Sequence, residues 1–125
     1  MKRIIVDLDN TITNDSSSIN YRDKTYDSEL VERLNQYRAL GYEIIIFTAR
    51  NMKTYKGDIS KININTLPLI IDWLSEINLN YDGILVGKPW CGEDGFYIDD
   101  KAIRPSEFKT LSSEEIYKLL DNEKK

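Results

Sequence analysis

Two apolar runs about forty residues apart constrain this chain most. Ile4-Ile5-Val6 and Ile44-Ile45-Ile46-Phe47 are too short for core helices. The second lacks the polar alternation of a strand with one wet face, so it predicts a strand buried on both faces of a parallel sheet. Between the two runs, Asp27 or Ser28 is placed to cap a helix, Leu30, Val31, Leu34 and Tyr37 supply its apolar face, and Gly41 stops it. Strand, helix and strand within 48 residues make a βαβ unit.

The remaining chain extends the same pattern. Residues 12–26 are polar and without period, which predicts a loop or small flap. Residues 49–65 show little apolar periodicity but carry Arg50, Lys53, Lys56 and Lys61 against a single Asp58. Thr66 and Pro68 open a further helix with Leu67, Ile70, Ile71, Leu74 and Ile77 on one face. Gly83–Val86 reads as a third strand and Phe96–Ile98 as a fourth. Ser112 with Glu115 fits a capping box for a last helix packing Ile116, Leu119 and Leu120. The expectation is one α/β domain over residues 1–125, a three-layer Rossmann-like sandwich on a mostly parallel sheet.

Composition then removes several functions. A net charge of -4 argues against a nucleic-acid module. No apolar run is long enough to span a bilayer, and the first strand begins too early to leave room for a signal peptide. Cys91 is the sole cysteine, which fits a reducing compartment, so a cytoplasmic protein without membrane contact is expected. There is no histidine. Ser-His-Asp catalysis, Cys-His catalysis and His-ligated zinc are therefore excluded, and Cys91 lacks a partner to activate it. Acid–base chemistry near neutral pH must fall to carboxylates, Lys or Tyr.

Each predicted strand leads into a polar residue. The first ends in Asp7 and Asp9, which alternation places on one side of the chain, with Asn10 suited to the turn that follows. Two like charges that close need a cation, a shared proton or both. The second strand ends at Thr48, the third leads through Gly87 to Lys88, and the fourth ends at Asp99-Asp100. Taken singly, each is an ordinary strand end or turn. Together they converge on the sheet edge where open α/β sheets bind ligands.

In this order the residues resemble the haloacid dehalogenase (HAD) superfamily of phosphohydrolases. Asp7-Leu8-Asp9-Asn10-Thr11 matches its first motif and Thr48 in Phe47-Thr48-Ala49-Arg50 its second. Lys88 in Gly87-Lys88-Pro89 matches the third, and Asp99-Asp100 the fourth. More narrowly, 51–68 and 86–108 resemble small phosphatases associated with bacterial capsule polysaccharide biosynthesis. The resemblance implies a HAD-like fold without a large cap domain and hydrolysis of a phosphate monoester through an aspartyl-phosphate. Asp7 would be the nucleophile and Asp9 the acid and base. Thr48 and Lys88 would hold the transferring phosphoryl group. It further implies Mg²⁺, held by Asp7, Asp9 through its backbone carbonyl, and the pair Asp99 and Asp100. Asn10, Thr48, Ala49, Arg50, Lys53 and Lys88 would contact phosphate or substrate.

The substrate expected from this resemblance is a small phosphorylated metabolite, a sugar phosphate or related capsule precursor. A nucleotide or nucleic-acid end is the alternative, kept open by the cations of 50–61. An acid at Asp9 separates phosphatases from dehalogenases, whose halide leaves without a proton. A receiver-like phosphoacceptor would need an Asp on the third strand, and none is there. An inactive phosphate-binding domain is disfavoured by the complete motif set. A capless site either takes bulky substrates or is covered by a second subunit of a homo-oligomer, and loop 50–61 with Tyr55 and Trp90 is expected at its entrance.

Overall fold

The computed structural model describes residues 1–15 and 20–125, which fall into two compact units, residues 1–90 and 91–125. The first unit is an α/β unit built on a three-stranded, wholly parallel sheet of the Rossmann-like kind. Strand β1 (Arg3–Val6) leads into an antiparallel pair of two-residue strands, β2 (Thr13–Asn14) and β3 (Thr25–Tyr26), with a single 3-10 turn at Tyr21–Asp23. Helix α1 (Ser28–Ala39) follows, then β4 (Glu43–Thr48), α2 (Ile59–Asn65), α3 (Leu67–Ser75) and β5 (Gly83–Val86). The sheet order is β1-β4-β5, with Ile4 beside Ile44 and Ile46 beside Ile84.

Local sequence explains these elements. Asp27 caps α1 by accepting from Leu30 N, and Leu30, Val31, Leu34 and Tyr37 are its buried face, as the periodicity predicts. Gly41 closes the turn at a φ of 101° that other residues resist. In β4, Ile44, Ile46 and Thr48 are fully buried, whereas Ile45 and Phe47 are only half-buried. The uniform apolar run thus overstates burial: the face carrying Val6, Ile44 and Ile46 is core, while the opposite face presents Ile5 and Leu85 as exposed. Helix α2 has no counterpart in the sequence reading, because among its seven residues only Ile62 is buried. Asp58, which accepts from Lys61 N, is the cap that marks it. Helix α3 buries Ile70, Trp73 and Leu74, with Ile77 just beyond it, but Ile71 faces outward.

The second unit holds α4 (Pro105–Thr110) and α5 (Ser113–Asn122). Ser112 and Glu115 form the expected capping box at α5, and Ile116 is its buried residue. The fourth strand expected at Phe96–Ile98 does not form. These three residues lie outside any strand, and all are exposed. The tripeptide has strand-forming side chains, but a parallel return across a sheet takes about a dozen residues, more than the short Pro/Gly-containing stretch after Lys88 supplies. Among the described residues, no helix is long and apolar enough to cross a membrane.

Candidate active site

At the C-terminal end of β1 the chain breaks into a tight turn. Leu8 is completely buried between Asp7 and Asp9, which are both partly exposed, so alternation persists past the strand end. Asn10 takes a left-handed φ of 59°, as its side chain permits. The turn closes on Leu8, whose carbonyl accepts from the backbone N–H of Thr11, Ile12 and Thr13.

The two carboxylates have different partners. Asp7 accepts a 2.9 Å hydrogen bond from Thr11 Oγ1 on Oδ2, and Lys88 Nζ stands 3.4 Å from its Oδ1. Lys88 is placed by Gly87, whose φ of 85° suits glycine and where a Cβ would meet Ile59 Cδ1 at 2.6 Å. Lys88 N also donates to the Thr48 carbonyl, joining the ends of β4 and β5. Asp9 is gripped by Arg50: Nη2 lies 2.7 Å from Oδ1, and Nε lies 3.2 Å from each oxygen. That is a fork-to-carboxylate pair, strong because both groups are charged and planar. Lys24 Nζ approaches Asp9 Oδ1 at 3.8 Å and pairs with Asp15 at 2.8 Å.

Arg50 and Lys24 are unusual for cations at a sheet edge. Their side chains are 2% and 7% exposed. The Tyr21 ring lies over both, 4.0 Å from Arg50 Cζ and 4.7 Å from Lys24 Nζ, a cation–π arrangement that shields them from solvent. Burial tends to raise the Asp15 carboxyl, but hydrogen bonds from Lys24 and Thr13, the Lys24 charge and the Asn10 N–H outweigh it, holding the group below the ordinary carboxylate value. Lys24 is fixed in turn through its backbone carbonyl, which accepts from Trp73 Nε1 at 3.0 Å.

The other residues singled out from the sequence are distributed as follows. Thr48 is fully buried, and its hydroxyl accepts from Arg50 N. Ala49 takes part through its carbonyl, which accepts from Met52 N. The Asn10 N–H is engaged by Thr13 Oγ1 and Asp15 Oδ1. Lys53 Nζ stands 5.2 Å over the Trp90 ring. Asp99 and Asp100 belong to the second unit, where both are exposed in a turn. The Lys101 N–H and a hydrogen bond with Asp100 hold Asp99 below the ordinary carboxylate value. Sequence reasoning missed Lys24, Tyr21 and Asp15. Asp15 has near partners in Asn10, Thr13 and Lys24, but within a polar stretch without period that pattern is not distinctive, and the Tyr21 ring covers Arg50, which lies far along the chain.

Among the described residues, no three His, Cys, Asp or Glu gather to hold a metal. The donors that do converge are hard oxygens, and Mg²⁺ characteristically takes one or two protein carboxylates, completing its shell with water and substrate phosphate. The charge balance agrees. Asp7, Asp9 and Asp15 are matched by Lys88, Arg50 and Lys24, so a phosphate dianion would arrive two positive charges short.

No protein-family model and no curated protein matches this chain. Among solved structures, a Vibrio cholerae protein whose crystal structure was determined as an MCSG target is similar to it, with a TM-score of 0.96 and 55% identity. That match covers 99% of this chain and 100% of the Vibrio cholerae chain. Likeness at that identity over the full length of both means that this chain belongs to the same protein family as the Vibrio cholerae protein.

Proposed function

We propose that this protein is a HAD-type, Mg²⁺-dependent phosphomonoester hydrolase acting on a small phosphorylated metabolite, such as a sugar phosphate of the kind used in capsule polysaccharide synthesis. The observation that carries the reading is the unequal treatment of two carboxylates at one strand end. Asp7 is oriented by a hydroxyl and neighboured by one lysine, whereas Asp9 is held by an arginine fork. One is presented as a nucleophile and the other as a group that exchanges partners.

In the proposed reaction, an Asp7 carboxylate oxygen attacks phosphorus and the ester P–O bond breaks. Asp9 gives its proton to the departing alkoxide. Water then attacks the aspartyl-phosphate while Asp9 takes back a proton, releasing phosphate and restoring Asp7. Lys88 neutralises charge between Asp7 and the transferring group, and Thr11 keeps Asp7 in line. Thr48 is proposed to contribute to phosphoryl binding together with Lys88. Within the first unit, Asp7 and the Asp9 carbonyl would hold Mg²⁺, which would supply two positive charges to balance the phosphate dianion.

The test is phosphate release from an aryl phosphate and a sugar-phosphate panel, with Mg²⁺, with EDTA, and in Asp7→Asn. Turnover should require Mg²⁺ and fall by more than about 10³-fold in Asp7→Asn, since removing a nucleophile costs at least that. Hydrolysis that ignores EDTA and survives Asp7→Asn would overturn the proposal.

A further inference from the structure

The charges around Asp9 already satisfy one another. Arg50 lies 2.7 Å from Asp9 and Lys24 lies 2.8 Å from Asp15, and both cations are more than nine-tenths buried. This flank of the site therefore offers an incoming group no net charge. What it does offer is the ring that covers the cations. Tyr21 is 41% exposed, against 2% and 7% for the side chains of Arg50 and Lys24.

The two cations share one face of that ring. Both reach the same Asp9 oxygen, at 2.7 and 3.8 Å, which groups on opposite faces could not do while lying 4.0 and 4.7 Å from the ring. The other face is left open. The ring is also held in place from both sides of its own turn. Asn20 accepts from Asp23 N across the 3-10 turn that carries Tyr21, and Trp73 Nε1 donates to the Lys24 carbonyl just after it. A ligand that settles on an aromatic ring already fixed in this way orders little else.

A group that protonates a leaving oxygen must stand beside the leaving group. The Asp9 side chain is 27% exposed and its cations close one side, so the alcohol portion of a substrate arrives from solvent, where Tyr21 also surfaces. We infer that Tyr21 is a specificity-determining residue, the platform on which the leaving group packs, and that the preferred phosphate monoester has an uncharged alcohol portion with a flat ring face, saturated or aromatic. The inference rests on the reading of Asp9 as the acid. An anionic leaving group finds Arg50 and Lys24 already paired, and a cationic one meets their charge through the ring. An open chain covers less of the ring and loses more rotational freedom in doing so.

Phosphonates, whose P–C bond is not hydrolysed, test this contact apart from turnover. Binding of benzylphosphonate and of cyclohexylmethylphosphonate would be compared with methylphosphonate by calorimetry in Mg²⁺. At least one ring ligand should bind about tenfold more tightly than methylphosphonate, the usual scale of stacking on one aromatic side chain. Which one does so tells an aromatic from a saturated ring. A carboxylate added at the para position of benzylphosphonate should bring no further gain. Tyr21→Ser should bring the ratio towards parity, whereas Tyr21→Phe, which keeps the ring, should retain it. A residue that merely covered Arg50 would, as Ser, weaken every ligand alike and leave the ratio intact. A wild-type protein that binds neither ring ligand better than methylphosphonate overturns the inference. So does Tyr21→Ser with its preference intact, Tyr21→Phe that behaves like Tyr21→Ser, or a para carboxylate that tightens binding. The two readings fail separately. Asp7-dependent hydrolysis that is indifferent to the ring removes only the platform. A ring preference governed by Tyr21, with no phosphate ester hydrolysed, removes only the phosphatase.

Discussion

Thr11 lies four residues after Asp7, and the turn on Leu8 brings its hydroxyl to the Asp7 carboxylate. Removing that hydroxyl while keeping the shape, as in Thr11→Val, deletes one charge-assisted hydrogen bond, worth about 1.5 kcal/mol. The expected result is a fall of about tenfold in kcat with KM little changed, because the bond orients an attacking oxygen and does not hold substrate. Steady-state kinetics on an aryl phosphate would show it, and a rise in KM alone would place Thr11 in binding. Several residues of the site were legible from the sequence because each stands just after a strand, whatever the distance to its partner. The Asp7 and Asp9 pair, the Asn10 turn and Lys88 after Gly87 all announce themselves by spacing. Lys24 and Tyr21 do not, since a polar stretch without period gives no hint that an ammonium will approach Asp9 or that a ring will cover Arg50.

At the scale of elements, Asp82 does more than its place before β5 suggests. Its carboxylate accepts from Arg38 at the end of α1 and from Ile44 N in β4, so one side chain ties a helix and a strand to the start of the next strand. Those hydrogen bonds, Arg38 first, hold the Asp82 carboxyl below its ordinary value of 3.8. A carboxyl lowered on folding adds stability that is present above its unfolded value and is lost as pH falls through the folded one. Urea midpoints measured from pH 6 down to pH 2 should therefore drop less steeply in Asp82→Asn than in the wild type below about pH 4. Midpoint curves that run parallel would exclude this contribution. The same long-range character explains which elements were predictable. Helix α1 carries its own cap and apolar face and was visible in full. Strand status at Phe96–Ile98 depended on a partner that local side chains cannot supply, and α2 on a single buried Ile62.

For the molecule as a whole, the absence of histidine means that no side chain with an ordinary pKa changes charge between about pH 5 and 8. The parallel sheet and its C-terminal edge followed from apolar patterning, and the family relation with the Vibrio cholerae protein extends over nearly the whole sequence. How deeply each sheet face is covered did not follow, since runs of isoleucine look alike whether one face is buried or both.

One bond described above makes the protein its own optical probe. The indole of Trp73 is 5% exposed and donates to the backbone carbonyl of Lys24, the residue whose ammonium reaches Asp15 and approaches Asp9. Indole emission responds to the hydrogen bond at its nitrogen and to nearby charge. In a Trp90→Phe background Trp73 is the remaining tryptophan, so inorganic phosphate added with Mg²⁺ should alter emission along the same isotherm that calorimetry gives. Heat without a change in emission would mean that the ligand seats while the Lys24 carbonyl keeps its place. A change that follows the heat would time the response at Lys24 in stopped flow, with no label added.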